Sequence, residues 1–200
     1  MARGRRRCRS LGGVIAAILF ASSLWAQQPP AEEQARQLGN RAADELMSTL
    51  KKELGAAMKS GGPGRAIRVC SQRALLLTQE IPHRMQVPGM ELKRTTLRWR
   101  NERNRPDDRE EKVLRRYEQT AARKDPLEPL LVLEDGFYHY YQPIKVSGLC
   151  LMCHGPEERM ADTVRSTLDT LYPEDKARNY GVGDFRGVVH VSFPQSAVSP

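Results

Sequence analysis

Cys150-Leu151-Met152-Cys153-His154 places two thiols and an imidazole within one helical turn or so of each other. This is the C-x-x-C-H spacing of covalent c-type haem attachment. Each thiol can add to one of the two haem vinyl groups, and the adjacent imidazole then reaches the iron from one side. The motif occurs once, so the expectation is one covalent haem c, held by Cys150 and Cys153 and ligated by His154. Two other chemistries use the same thiol pair: a redox-active or structural disulfide and half of a zinc site. Zinc wants a fourth ligand and usually a second pair, and only Cys70 and scattered histidines are at hand.

Cys70 is the thiol left over, and it shares an apolar stripe with Ile67 and Ala74. That position suits an inert core cysteine, and it equally suits a sulfur that reaches a buried haem. A thiolate ligand lowers the reduction potential of the iron, whereas a methionine raises it. Competing sixth ligands are His83, His139, His190, Met85 and Met90, or none from the protein. His139 lies between Tyr138 and Tyr140 and reads as a surface or packing residue. Arg94, Arg98 and Arg100 share one side of an alternating segment. They suit either the two haem propionates or a solvated strand face.

The elements that must position these residues are legible in the pattern. From Ala31 to Ser60, Leu38, Ala42, Leu46, Leu50, Leu54 and Ala57 recur at steps of three and four, which predicts a long amphipathic helix. Gly61-Gly62-Pro63-Gly64 should end it, and a second helix should carry Ile67, Cys70, Ala74 and Leu77 inward. Leu92 to Arg100 alternates, with Thr95, Leu97 and Trp99 opposite the arginines, and predicts a strand. Asp107 with Glu110 forms the pattern of a capping box ahead of a helix ending near Lys124. Leu130–Leu133 and Phe137–Val146 read as strands joined by a Glu134-Asp135-Gly136 turn. A helix is expected from Pro156 and a last strand over Gly187–Phe193. Short strands and helices without a βαβ rhythm point to an α+β domain, an antiparallel sheet with helices on one face. A PAS-like arrangement fits.

The chain has 200 residues, 28% of them charged and 40% hydrophobic, which suits one globular domain and excludes a polytopic membrane protein. Arg3, Arg5, Arg6, Arg7 and Arg9 precede an uncharged apolar run from Leu11 to Ala26. At about 16 residues the run is short of the roughly 20 a spanning helix needs, and it has the layout of a secretory signal cut after Ala26. An N-terminal anchor is the alternative. Cys8 would leave with the leader. The remainder carries 27 basic and 24 acidic residues, so the basic excess of the whole chain is mostly leader and does not argue for a nucleic-acid partner. Export also fits the motif, because c-type haem is attached outside the cytoplasm.

Several runs together resemble one family. They are Ala66-Ile67-Arg68-Val69-Cys70-Ser71; Arg94-Thr95-Thr96 leading to Arg100-Asn101 and Asn104-Arg105-Pro106-Asp107; Cys150 to Gly155; Tyr172-Pro173-Glu174-Asp175-Lys176-Ala177; and Gly181 to Gly187. In that order they resemble a family of haem-c-binding PAS-like domains, long catalogued as of unknown function and known from a cyanobacterial cytochrome and from periplasmic sensor regions. The resemblance spans nearly all of the chain after the leader. It implies a PAS-like fold with an antiparallel sheet and long N-terminal helices; with the leader and helix read above, the expected organisation is a signal peptide (1–26), an amphipathic helix (27–60) and a haem-binding domain (61–200). It also implies haem ligation by His154 and Cys70; Arg94, Arg98, Arg100 and Asn101 are the further residues expected to bind the cofactor. Glu102 stands where the family usually has proline after the Arg-Asn pair, and Arg109 stands near an often aromatic position.

The function expected from these readings is a periplasmic, single-haem, cytochrome-like protein for electron transfer or redox sensing. Its partner would be a redox protein or a membrane sensor component, with no nucleic acid and no stable membrane insertion once the leader is gone. Two alternatives stand beside it: a diatomic gas sensor in which Cys70 is displaced, and a haem-free thiol oxidoreductase using Cys150 and Cys153.

Overall fold

The computed structural model describes Met1 and residues 30–198. Apart from Met1, the leader expected over residues 1–26, Cys8 included, lies outside the described residues. Helix α1 runs from Ala31 to Met85 and is bent where its backbone leaves helical geometry at Gly61 and Gly62. Gly62 sits at φ 68° and ψ −168°, a region essentially restricted to glycine. Pro63 follows at the start of the second arm, where no N–H is missed. The expected end of the first helix is thus a sharp bend between two arms.

The first arm buries Ala35, Leu38, Ala42 and Leu46, one stripe at steps of three and four. Gly39 lies on the same stripe because the sheet comes so close. A Cβ there would fall 2.4 Å from Cγ of Tyr140.

Four strands follow: β1 (Glu91–Thr95), β2 (Leu130–Glu134), β3 (Phe137–Lys145) and β4 (Phe185–Pro194). They form one antiparallel sheet in the order β1-β4-β3-β2, which is the expected α+β architecture. Asp135 and Gly136, at φ 53° and 79°, close the β2–β3 hairpin as their dipeptide predicts.

The sheet is covered on both faces, not on one as the element pattern suggests. Tyr138, Tyr140, Val189, Val191 and Phe193 pack against α1. Tyr141 and Val188 point the other way, against Leu114 and Tyr117 of α2 (Asp108–Ala122). The reason lies in β3 and β4, whose alternate side chains are apolar or aromatic on both sides, so each face needs a cover. The Asp107–Glu110 capping box that opens α2 is formed as expected.

Strand β1 stops at Thr95, short of the predicted Arg100. Thr96 Oγ1 accepts the Arg98 N–H at 3.2 Å, and Thr95 Oγ1 donates to Asn104 O at 3.1 Å. These local bonds replace a ladder, and the chain turns away. Short helix α3 (Leu151–His154) carries Cys153 and His154 with Cys150 as its N-cap, and α4 (Asp162–Leu171) begins later than Pro156 predicts. A 3-10 turn over Glu157–Arg159 comes first, and Met160 is extended at ψ 139° and buried. No helix among the described residues is long and apolar enough to cross a membrane.

Candidate functional site

Helix α3 ends beside the loop that links α4 to β4, and the two are stitched by main-chain bonds. Asn179 N donates to Gly155 O and Tyr180 N donates to His154 O, both at 2.9 Å. This fixes His154. Its Nδ1 lies 2.7 Å from Ala177 O, so Nδ1 carries the proton and Nε2 keeps its lone pair. Burial, with the Arg100 and Arg186 guanidiniums nearby, pushes the imidazole down to about 3. A neutral ring, locked in one tautomer by a backbone carbonyl, is the form in which histidine binds a metal.

The carbonyl is itself held in place. Arg100 Nη2 donates to Cys153 O and, at 3.2 Å, to Ala177 O, and it pairs with Asp175 at 3.0 Å. Asp175 Oδ1 accepts the Ala177 N–H at 2.9 Å, while Oδ2 also receives Arg178. Burial pushes the Asp175 carboxyl up, but the hydrogen bonds from Arg100, the Ala177 N–H and Arg178 prevail and hold it below the usual range. Arg98 donates to the carbonyls of Lys176 and Arg178 and lies 4.2 Å over the Tyr180 ring.

All three cysteines among the described residues are free thiols. Cys150 Sγ faces Ser147, whose Oγ is 3.2 Å away and whose N–H donates at 3.4 Å. Cys153 packs in an apolar group with Ile67, Met160, Val164 and Leu168. Ile67 lies one turn before Cys70 on the second arm of α1, and Cys70 is near enough to Cys153 that ionising one thiol would disfavour ionising the other. Burial pushes both thiols up, while the Arg94 and Arg100 guanidiniums pull Cys70 the other way. Arg94 reaches this neighbourhood from β1, and its Nε is buried with no hydrogen-bond partner.

The structure therefore gathers Cys70, Arg94, Arg100, Cys153 and His154 around one spot. Arg98 and Arg100 spend donors on loop carbonyls, and Asn101 accepts the Arg103 N–H at 3.0 Å as the cap of a 3-10 turn. Of the competing ligands, Met85 and Met90 belong to the main core and His83 is exposed.

His139 and His190 are engaged elsewhere, in a buried polar chain on the α2 face of the sheet. Arg109 donates to His139 Nε2 (2.7 Å), His139 Nδ1 to His190 Nε2 (3.0 Å), and His190 Nδ1 to Glu110 Oε1 (2.9 Å). Lys93 meets Glu110 Oε2 at 2.6 Å. Because the guanidinium can only donate, the direction of this chain sets which ring nitrogen of each histidine donates. His139 is thus a buried, bonded residue, in keeping with a packing role.

Sequence reading missed Asp175, Ala177 and Arg186 as supports of the imidazole. The first two lie in the run from Tyr172 to Ala177 that carries the family resemblance, but an acceptor that is a main-chain oxygen leaves no residue signature. Arg186, which donates to Thr96 Oγ1 and Arg98 O, falls in the later run from Gly181 to Gly187.

The profile of the Tll0287-like family matches residues 26–194. This chain belongs to the Tll0287-like family. The crystal structure of the cyanobacterial heme-protein Tll0287 superposes with a TM-score of 0.59 at 22% identity, covering 84% of this chain and 98% of that one. At that identity the likeness speaks for the fold. The comparison with curated proteins found no match.

Proposed function

We propose that this Tll0287-like chain is a periplasmic single-haem c-type protein, working in electron transfer or redox sensing. The observation that carries the reading is His154. Beside two thiols at the attachment spacing, its Nδ1–H is tied to Ala177 O and its Nε2 is left to act as a ligand. The structural relative is a heme-protein, which supports the same cofactor here.

The residues present fit a haem. Cys150 and Cys153 would form the two thioethers, and His154 and, from the second arm of α1, Cys70 would ligate the iron. The buried and unpartnered Arg94 Nε suits a negative charge brought in by the group or by the Cys70 thiolate. When bound, the haem supplies a one-electron iron couple whose potential a thiolate ligand lowers. The protein's own part is to hold the imidazole neutral and fixed, exclude water with Ile67, Met160, Val164 and Leu168, and brace the loop through Arg100 and Asp175. A rigid frame of this kind keeps reorganisation small when an electron moves. The output would pass to a redox protein or to a membrane sensor component.

The test is a spectrum of the mature chain, produced with the c-type attachment machinery, in ferric, ferrous and ferrous-plus-carbon-monoxide forms. Haem that survives acid extraction and a low-spin spectrum unmoved by carbon monoxide is the expected result. A large shift with carbon monoxide would replace this reading with gas binding through a displaced Cys70. No covalent haem would overturn it in favour of thiol chemistry at Cys150 and Cys153.

A further inference from the structure

Arg186, at the start of β4, carries a charge that the fold does not compensate. Gly187 follows it at φ 141°, with no room for a Cβ against Thr95 O and the Thr96 side chain, so β4 lies hard against the end of β1. That approach brings Arg186 Nη1 to Thr96 Oγ1 at 3.2 Å and to Arg98 O at 3.1 Å, both uncharged acceptors. The guanidinium forms no ion pair among the described residues. Asp175, the buried carboxylate of this region, is held by Arg100 and Arg178. Burial pushes the pKa of Arg186 down, as it does for a cation drawn out of water without a partner.

The Arg186 guanidinium lies 5.3 Å from the centre of the Tyr180 ring, and Arg98 lies over the same ring at 4.2 Å. The edge of that ring meets the His154 imidazole, with centroids 6.4 Å apart and planes at 83°. Two guanidiniums bonded only to uncharged acceptors thus stand one ring away from the imidazole. A fixed positive charge beside an iron ligand favours the ferrous form, which differs from the ferric by one added electron and no proton. A thiolate ligand acts in the opposite direction. We propose that Arg186 tunes the redox couple of this chain, its uncompensated guanidinium raising the potential that the Cys70 thiolate lowers. This inference rests on the haem reading above and adds to it the group that sets the couple.

The test is spectroelectrochemical titration of the haem-loaded chain against an electrode, over a range of pH. Arg186→Gln should lower the potential by roughly tenfold in the one-electron equilibrium, about 59 mV, with the low-spin spectrum unchanged. Arg186→Lys, which keeps the charge, should stay close to the parent. Thr96→Asp reaches the same neutralisation with the guanidinium left in place, because a carboxylate takes over the hydroxyl that accepts from Arg186 and from the Arg98 N–H. It should lower the potential as well, so the proposal stays open to test if Arg186→Gln does not fold. Arg159→Gln, which removes an exposed guanidinium, is the control. An unmoved potential in Arg186→Gln or Thr96→Asp, an equal fall in Arg159→Gln, or a fall that comes with a changed ligand spectrum would overturn the proposal. A difference between Arg186→Gln and the parent that widens with pH would overturn it too, by assigning Arg186 to a haem propionate freed in the variant. A chain that takes no haem overturns both readings, whereas a haem whose potential ignores Arg186 overturns this one alone.

Discussion

Arg100 and Asp175 meet at 3.0 Å with side chains only 12% and 1% exposed. The pair is therefore closed to solvent and not a surface bridge. It stands behind the Ala177 peptide, gripping its carbonyl from Arg100 and its N–H from Asp175. Asp175→Asn leaves Arg100 without its counter-charge, while Arg178 keeps Glu157 and Asp169, and removing one member of a buried pair costs about 3 kcal/mol. Urea unfolding of the haem-loaded chain should show that loss. A variant as stable as the parent would reduce the pair to packing.

Cys70→Ala is expected to convert the ferric spectrum from low-spin to high-spin, or to another ligand set, while the covalent haem stays attached through Cys150 and Cys153. Absorption spectra of the two proteins at equal haem content decide the matter. Identical spectra would take Cys70 out of the site.

Acid should weaken the fold through the chain on the α2 face. Burial pushes the Glu110 carboxyl up, but bonds from His190, Lys93 and the Asp107 N–H win and hold it below its unfolded value of 4.5. Its contribution is present above 4.5 and is lost as pH falls through the lower, folded value. Burial, then His190 and Arg109, hold His139 below 6.5, so its contribution is present above 6.5 and is lost on acidification from there. The urea midpoint should fall in two stages on going from about pH 7 to about pH 4. His139→Gln should diminish the first stage, and the part that remains belongs to His154, whose imidazole is held down to about 3. A parent midpoint that is flat between about pH 7 and about pH 5 would contradict the assignment of His139.

Gly39→Ala would drive a Cβ to 2.4 Å from the Tyr140 ring. Helix and sheet must separate or the ring must turn, at a cost of about 2 kcal/mol. Thermal unfolding should reveal it, and Gly55→Ala, where a Cβ meets nothing within 4 Å, is the control. Equal effects at the two positions would mean that the close approach is not what matters.

Much of this was legible in the sequence where the signal is local. The hairpin at Asp135-Gly136, the cap at Asp107 and the cluster from Cys150 to His154 each depend on neighbours in the chain. The length of β1 was misjudged because alternation continues past Thr95, while the Thr96 hydroxyl captures the Arg98 N–H and ends the ladder. Glu110 was legible as a cap, but its second task was not. That task depends on His139 and His190, which are brought together only by the pairing of β3 with β4.

The hydrogen bond that orients His154 ends on a peptide oxygen, and this has a consequence for inheritance. Replacing Ala177 changes what surrounds the bond but cannot delete the acceptor, since every residue brings the same carbonyl. The ring's orientation is thus insulated from point mutation at the very position that sets it. It is vulnerable instead at a distance, through Arg100 and Asp175, whose side chains fix where that oxygen lies.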